Sequence, residues 1–361
     1  MAKNQPTLAS LRKQIDSIDR EIVQLINRRA ETAQEIGRIK DENGQVVYQP
    51  CREGQVLDRV VALSKGPVSD ACVRAVFREV ISGSRSAEQK LRVAYLGPEY
   101  TYSYLAAVHR FGHCVDLIPV RTIAAVFEEV LNRQADFGVV PIENSTDGRI
   151  VDTLDSFTRY DVRVTGEVPL RIHHHLLGRC PRSEVTHVYS KPQAISQCRK
   201  WLTTHLPQAE LVEVTSTAIA AETARDQPGA AAIASRQAAV NYELEFLAEA
   251  IEDNAFNLTR FAVIGRDSQP RTGKDKTSFM FQTEHKPGGL ADAMLIFKRN
   301  RLNLTWIESF PVPGRQGTYL FFAELEGHQE DLRVRKAMES LAGKSIQLTI
   351  LGSYAQSQPV E

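Results

Sequence analysis

Net charge is the first thing this sequence lacks: 44 lysines and arginines are matched by 44 aspartates and glutamates over 361 residues. No global field draws the chain to nucleic acid or to an anionic membrane, so a small molecule is the default partner. Cysteine is scarce as well. Cys51, Cys72, Cys114, Cys180 and Cys198 are odd in number and widely spaced, with no C-x-x-C pair, which excludes a zinc site or a disulfide framework and fits a reducing, cytoplasmic setting. No apolar run approaches the ~18 residues that a membrane span needs, and the N-terminus reads as free of a cleavable apolar signal. Short repeats and low-complexity tracts are missing too. At roughly 150 residues per domain, the length predicts two or three domains with real cores.

What is present falls into three blocks. Residues 1–90 read as all-helical, with Asn43-Gly44 ending the first helix and Gly66-Pro67 parting the second from the third. Residues 91–268 alternate strands, such as 92–96, 136–142, 185–189 and 230–234, with helical stretches, the pattern of a layered α/β domain. A polar, Gly- and Pro-containing linker follows over 267–275. Residues 276–361 read strand, helix, strand, strand, helix, strand, a ferredoxin-like α+β order.

Residues 136–148, D-F-G-V-V-P-I-E-N-S-T-D-G, carry the strongest functional signal, because an apolar strand ends abruptly in Glu143, Asn144, Ser145 and Thr146. Such an edge either holds a ligand or is a capped turn into the next helix. Further motifs lie at 93–103 (V-A-Y-L-G-P-E-Y-T-Y-S), Ile172-His173-His174, 189–198, Ser216-Thr217-Ala218 and Asn257-Leu258-Thr259-Arg260-Phe261. In this order they resemble the prephenate dehydratases, with Tyr100 where a glycine is usual and Lys191 in place of a frequent histidine. The resemblance implies two α/β lobes around a closable cleft, as in periplasmic solute-binding proteins, and conversion of prephenate to phenylpyruvate. It implies Thr259 as hydrogen-bond donor to the departing hydroxyl, Arg260 as carboxylate clamp or orienter, and Phe261 against the ring. Glu143, Asn144, Thr146 and His174 fall in matching motifs as substrate-binding candidates. Thr101, Ser103, Ser145, Ser216 and Thr217 offer hydroxyls near helix starts that either bind carboxylates or, at Ser216-Thr217 in particular, simply cap the helix. The chemistry calls for neither metal nor cofactor.

In the first block, at about 100° per residue, Leu11, Ile15, Ile18, Ile22, Leu25 and Ile36 share one stripe that reads as core. Arg29 and Lys40 fall inside it and Arg12 at its margin. Cations there either snorkel, pair with Glu53 or Asp58, or meet an anionic ligand. With Arg28-Arg29-Ala30, Gly37-Arg38-Ile39-Lys40 and Arg52-Glu53, the pattern resembles the all-helical chorismate mutases. That resemblance implies Arg12 and Arg29 on the substrate carboxylates, Lys40 on a carboxylate and the ether oxygen, and Glu53 on the ring hydroxyl. Arg52 and Ser84 match family positions, and Glu88 stands where some members have a glutamine donor, so it either donates when protonated or merely ends its helix. A pericyclic rearrangement needs only a folded substrate and donors at the ether oxygen. The family builds its site from two intertwined chains, so a homodimer or higher homo-oligomer is implied.

Residues 276–361 resemble the ACT domain through Lys276-Thr277-Ser278-Phe279, His285-Lys286-Pro287-Gly288-Gly289-Leu290, Asn303-Leu304-Thr305 and Leu351-Gly352-Ser353-Tyr354. The resemblance implies phenylalanine bound between paired domains, near Gly288, Gly289, Leu290 and Asn303, as a feedback signal, or an ACT pair that only dimerises. Glu308-Ser309-Phe310-Pro311 departs from the usual E-S-R-P, and loss of that arginine would either weaken the feedback or rearrange the pocket. Taken together, the expectation is a bifunctional enzyme taking chorismate through prephenate to phenylpyruvate. The alternatives are a dehydratase for arogenate or a metabolite sensor without turnover.

Overall fold

The computed structural model describes residues 7–42, 48, 50–146, 148–311 and 318–360. Two compact units emerge, the first comprising residues up to Leu91 together with Phe111–Asp116, the second the remainder. The first unit thus ends close to the boundary expected at residue 90, and a short segment from farther along the chain groups with the helices.

The helical unit consists of α1 (Leu8–Glu42), α2 (Pro50–Leu63) and α3 (Asp70–Glu88). Ser69 caps α3, its side chain accepting from the Cys72 amide. Both α1 and α2 pack on α3. At 1.5 Å rise per residue α1 is about 52 Å long, whereas α3 has 19 residues and covers only part of it. The stripe read as core is in fact exposed on this chain: Leu11, Ile15, Ile18, Ile22, Leu25 and Ile36 are each 42% to 59% accessible. Periodicity identified the apolar face but not what covers it, and three helices supply no layer to do so.

The second unit opens with β1 (Arg92–Leu96), α4 (Tyr102–Phe111, its last residue counted with the helices), β2 (Asp116–Val120), α5 (Ile123–Leu131), β3 (Phe137–Asn144), β4 (Gly148–Arg149), α6 (Val151–Arg159) and β5 (Arg163–Arg171). A second lobe follows as β6 (His175–Gly178), β7 (His187–Ser190), α7 (Pro192–Gln197), α8 (Arg199–His205), β8 (Glu210–Glu213), α9 (Thr217–Asp226), β9 (Ala230–Ala234), α10 (Arg236–Asn241) and β10 (Glu245–Ala248). The chain then returns to the first lobe as β11 (Leu258–Gly265). The first sheet runs β2-β1-β3-β11-β5 with β4 beside β3, and the second β10-β6-β9-β7-β8. Because β11 lies antiparallel between β3 and β5, two crossings join the lobes. The third strand reaches Asn144, two residues past its expected end, since Asn144 pairs with both Thr259 and Gly148. By contrast β7 begins at His187, Arg182–Glu184 being a 3-10 turn.

The C-terminal block is β12 (Asp275–Gln282), α11 (Gly289–Arg299), β13 (Leu304–Pro311), β14 (Tyr319–Glu326), α12 (Leu332–Ala342) and β15 (Gln347–Ala355), the order expected. Its antiparallel sheet runs β13-β14-β12-β15. One face packs on α11 and α12 through Phe279, Phe281, Phe297 and Leu341. The other shares a core with the first lobe through Met280, Phe310, Phe322 and Tyr354. Gly352 permits this closeness, because a Cβ there would stand 2.2 Å from the Val164 carbonyl oxygen.

Candidate functional site

Between the two lobes lies a cavity of about 1110 Å³. The first residues of α4, α5, α6 and α9 all reach its wall, so several helix N-termini, each carrying a partial positive charge, face one space. Ser216 caps α9, accepting from the Ile219 amide at 3.1 Å, and Thr122 caps α5 in the same way. Arg121, Arg149 and Lys191 add cations to the wall, against Asp152 and Glu222. Such a wall suits a small molecule with more than one carboxylate.

At the back of the cavity a buried polar network joins three elements. Asn144 Nδ2 donates to Thr259 Oγ1 at 2.8 Å and to Asn257 Oδ1 at 3.2 Å. Asn257 Nδ2 donates to Gln197 Oε1 at 2.8 Å, and His174 Nε2 meets the same oxygen at 2.9 Å. On the other side of the ring, Tyr102 Oη lies 3.3 Å from His174 Nδ1 and donates to the His173 carbonyl at 2.7 Å. Burial pushes the Tyr102 pKa well above the ordinary phenol value, so it stays a neutral donor. Because Thr259 Oγ1 accepts from Asn144, its own hydroxyl proton remains to be given to a ligand.

Of the expected residues, Thr101, Ser103, Asn144, His174, Ser216, Thr217, Thr259 and Phe261 line this cavity. Glu143, Ser145, Thr146 and Arg260 do not. Successive strand residues face opposite ways, so Thr259 and Phe261 point one way and Arg260 the other. Arg260 donates to Glu143 at 2.7 Å, to Glu324 at 2.6 and 2.7 Å and to Glu167 at 3.3 Å. Desolvation lowers its pKa, but Glu324, Tyr354 and Glu167 more than offset this and the net shift is upward. Arg260, expected as a carboxylate clamp or orienter, here engages three carboxylates of its own chain. Ser145 Oγ bridges the Phe256 carbonyl and the Leu258 amide, and Asn144 Oδ1 accepts from the Thr146 amide at 2.8 Å. These bonds brace the turn between β3 and β4, whereas the helix that follows is capped by no side chain, its N-cap being Ile150. Gln197, Asn257 and Tyr102 went unassigned in the sequence, although Asn257 stands two residues before Thr259 and so on its side of the chain.

In the helical unit Arg29 Nη1 donates to Ser84 Oγ at 2.5 Å and to the Val80 carbonyl at 3.4 Å. Burial lowers the Arg29 pKa against the pull of Glu53 and Glu88. Burial likewise raises that of Glu88, opposed by Lys40, Arg85 and Arg29; Glu88 Oε2 is buried without a hydrogen-bond partner among the described residues and lies 3.2 Å from where a Cβ on Gly37 would stand. Glu53 pairs with Arg85 and Asp58 with Arg74, and Glu53 also pulls electrostatically on Arg29. Arg29, Lys40, Glu53, Ser84 and Glu88 gather in one region, whereas Arg12 and Arg52 are exposed. Arg12 stands about 26 Å from Arg29 along α1 by helix rise.

The model of the prephenate dehydratase family matches residues 93–269, and that of chorismate mutase type II residues 11–89. A bifunctional chorismate mutase/prephenate dehydratase of Stutzerimonas stutzeri is 43% identical over 97% of this chain and 98% of its own length. The chain belongs to the bifunctional chorismate mutase/prephenate dehydratase family. The Aquifex aeolicus member is 42% identical over 97% of this chain and 98% of its own. Among solved structures, the prephenate dehydratase of Arthrobacter aurescens in complex with L-Phe superposes with a TM-score of 0.69 at 32% identity, over 75% of this chain and 92% of that one. Family membership gives both activities, a mutase and a dehydratase. Among the described residues no helix is long and apolar enough to cross a membrane.

The residues expected near phenylalanine do not converge within one chain of this family member. Gly288 and Gly289 start α11 and Leu290 follows, while Asn303 lies beyond its far end, the helix being about 16 Å long. Glu308 pairs with Arg149 at 3.1 Å, and Ser309 is exposed. Phe310 is buried, its ring 6.2 Å from that of Phe322. The phenylalanine that stands in place of the E-S-R-P arginine is thus a packed core residue.

Proposed function

We propose that the helical unit rearranges chorismate to prephenate and that the cavity between the α/β lobes converts prephenate to phenylpyruvate, under control by phenylalanine. The observation that carries the second step is Thr259: a buried hydroxyl whose acceptor side is occupied by Asn144, in a cavity ringed by helix N-termini. Prephenate would leave its carboxylates on Ser216, Thr217, Ser103 and the nearby backbone amides. As the ring carboxylate departs as carbon dioxide, its bonding pair enters the ring and expels the hydroxyl as hydroxide, whose charge Thr259 would stabilise by a directed hydrogen bond until a proton from solvent turns it into water. Aromatisation supplies the driving force, and Phe261 packs beside the ring.

For the first step, Arg29 and Lys40 would hold carboxylate and ether oxygen, Glu53 the ring hydroxyl, and Glu88 would donate when protonated. Arg12, too far along α1 to join Arg29 in one chain, would come from a second copy, and the exposed apolar stripe of α1 supports a homodimer. The C-terminal block is read as an ACT domain: its βαββαβ order supports this, and the separation of Gly288 from Asn303 fits a phenylalanine site between paired domains. The free cysteines fit a cytoplasmic enzyme.

A product assay on the purified protein, supplied in turn with chorismate, prephenate and arogenate, tests the reading. Arg29→Ala is expected to abolish rearrangement and leave dehydration of supplied prephenate intact, and Thr259→Ala to do the reverse. Loss of both activities from either variant in a folded protein would refute the two-site assignment.

A further inference from the structure

Arg85, on α3, is 5% exposed, and neither the expected mutase chemistry nor any motif uses it. Its guanidinium donates from Nη1 to Glu53 Oε1 at 2.5 Å and from Nη2 to the Phe111 carbonyl at 2.5 Å. Its Cζ lies 5.0 Å from the centre of the Tyr48 ring, which packs 5.3 Å from the Phe111 ring. Two fixed directions and a stacked face leave the group no freedom to turn, a restraint that a lysine does not provide.

The Phe111 carbonyl is itself held. Gly112 sits at φ +73° against α3, where a Cβ would meet that of Ser82 at 2.5 Å. Ser82 Oγ accepts from the Cys114 amide at 3.2 Å, and Glu79 accepts from the His113 amide at 3.1 Å. The segment Phe111–Asp116 is thus fastened to the helical unit residue by residue, and the purpose of so many bonds around one arginine needs explaining.

We propose that Arg85 is a positioning residue for chorismate rearrangement, aiming the Glu53 carboxylate at the ring hydroxyl of the substrate. With Oε1 engaged by Arg85, Oε2 is the oxygen left to accept from substrate, on a side chain still 22% accessible. The assignment rests on the mutase reading of the helical unit given above. It makes residues beyond 90 part of the mutase machinery, acting through Arg85 on Glu53.

The test uses the full chain and measures both activities. Wild-type protein that fails to rearrange chorismate would overturn the mutase reading itself, before Arg85 is in question. Arg85→Gln is expected to lower mutase kcat/KM by about 10- to 100-fold, as misdirected supporting groups do, with dehydration of prephenate within about twofold of wild type. In a Glu53→Gln background the same change is expected to cost no more than about twofold, because a residue that acts through Glu53 has nothing left to aim. Losses that multiply in the double variant would mark a purely structural role and overturn the proposal, as would a mutase rate unchanged in Arg85→Gln. Should Arg85→Gln not fold, Arg85→Lys keeps the charge but not the two fixed directions; a partial loss supports the proposal and full activity overturns it.

Discussion

Replacing Thr259 with valine separates the chemistry of the dehydratase cavity from its architecture. Valine keeps the β-branched shape on β11, between β3 and β5, and removes only the hydroxyl. On the structural side, Asn144 Nδ2 loses the 2.8 Å bond to Thr259 but keeps Asn257 Oδ1 at 3.2 Å. The cost is then about 1 kcal/mol, the net worth of one hydrogen bond, which a domain with the usual 5–15 kcal/mol survives. On the chemical side, a donor aimed where charge develops in a water-poor site is worth about 10² to 10³ in turnover, or roughly 3–4 kcal/mol. The second effect exceeds the first severalfold, so the variant is expected to be folded and nearly inactive. Phenylpyruvate formation under saturating prephenate gives kcat, and thermal melts give stability. Thr259→Ser, which loses a methyl but keeps the donor, should restore most of the rate. A valine variant within about fivefold of wild type, or a serine variant as slow as valine, would refute the donor role.

Two further outcomes follow from the other units. Burial raises the Glu88 pKa, so its neutral, donating form persists above the ordinary carboxylate range, and mutase turnover is expected to fall as pH rises through that raised value. Stability runs the same way: the charged form is penalised only in the folded state, so nothing is lost below the unfolded pKa and the penalty grows as pH climbs through the folded one. Glu88→Gln should flatten the rate profile, and superimposable profiles would remove Glu88 from the site. Phe310→Arg, which restores E-S-R-P, is expected to cost about 3 kcal/mol or more in denaturant unfolding, because it replaces a buried apolar ring with a charge that must be desolvated; an unchanged midpoint would show that the position accepts arginine.

The block organisation was legible in the sequence because period and punctuation change sharply near residues 91 and 276. Thr259, Ser216 and Asn144 were legible as well, each sitting at an element edge within a recognisable motif. Arg260 shares its motif with Thr259 and Phe261, but strand alternation turns the middle residue away from the cavity they line. The network residues Gln197 and Tyr102 carry no local signal: they come from α7 and α4, and only the closed fold brings them to Asn257 and His174. The α1 stripe failed differently. A hydrophobic pattern declares which side wants covering and is silent about whether the cover lies in the same chain.

That silence has a consequence for how the two reactions are owned. On the paired reading, α1 carries Arg12 to one rearrangement site and Arg29 to another, so every copy lends a group to its neighbour and borrows one back. The first reaction then belongs to the couple, while the second, whose wall is built from one polypeptide, belongs to the individual. Dilution below the pairing threshold would silence the earlier step and spare the later, and any substitution on the long helix would be felt at two sites in each pair.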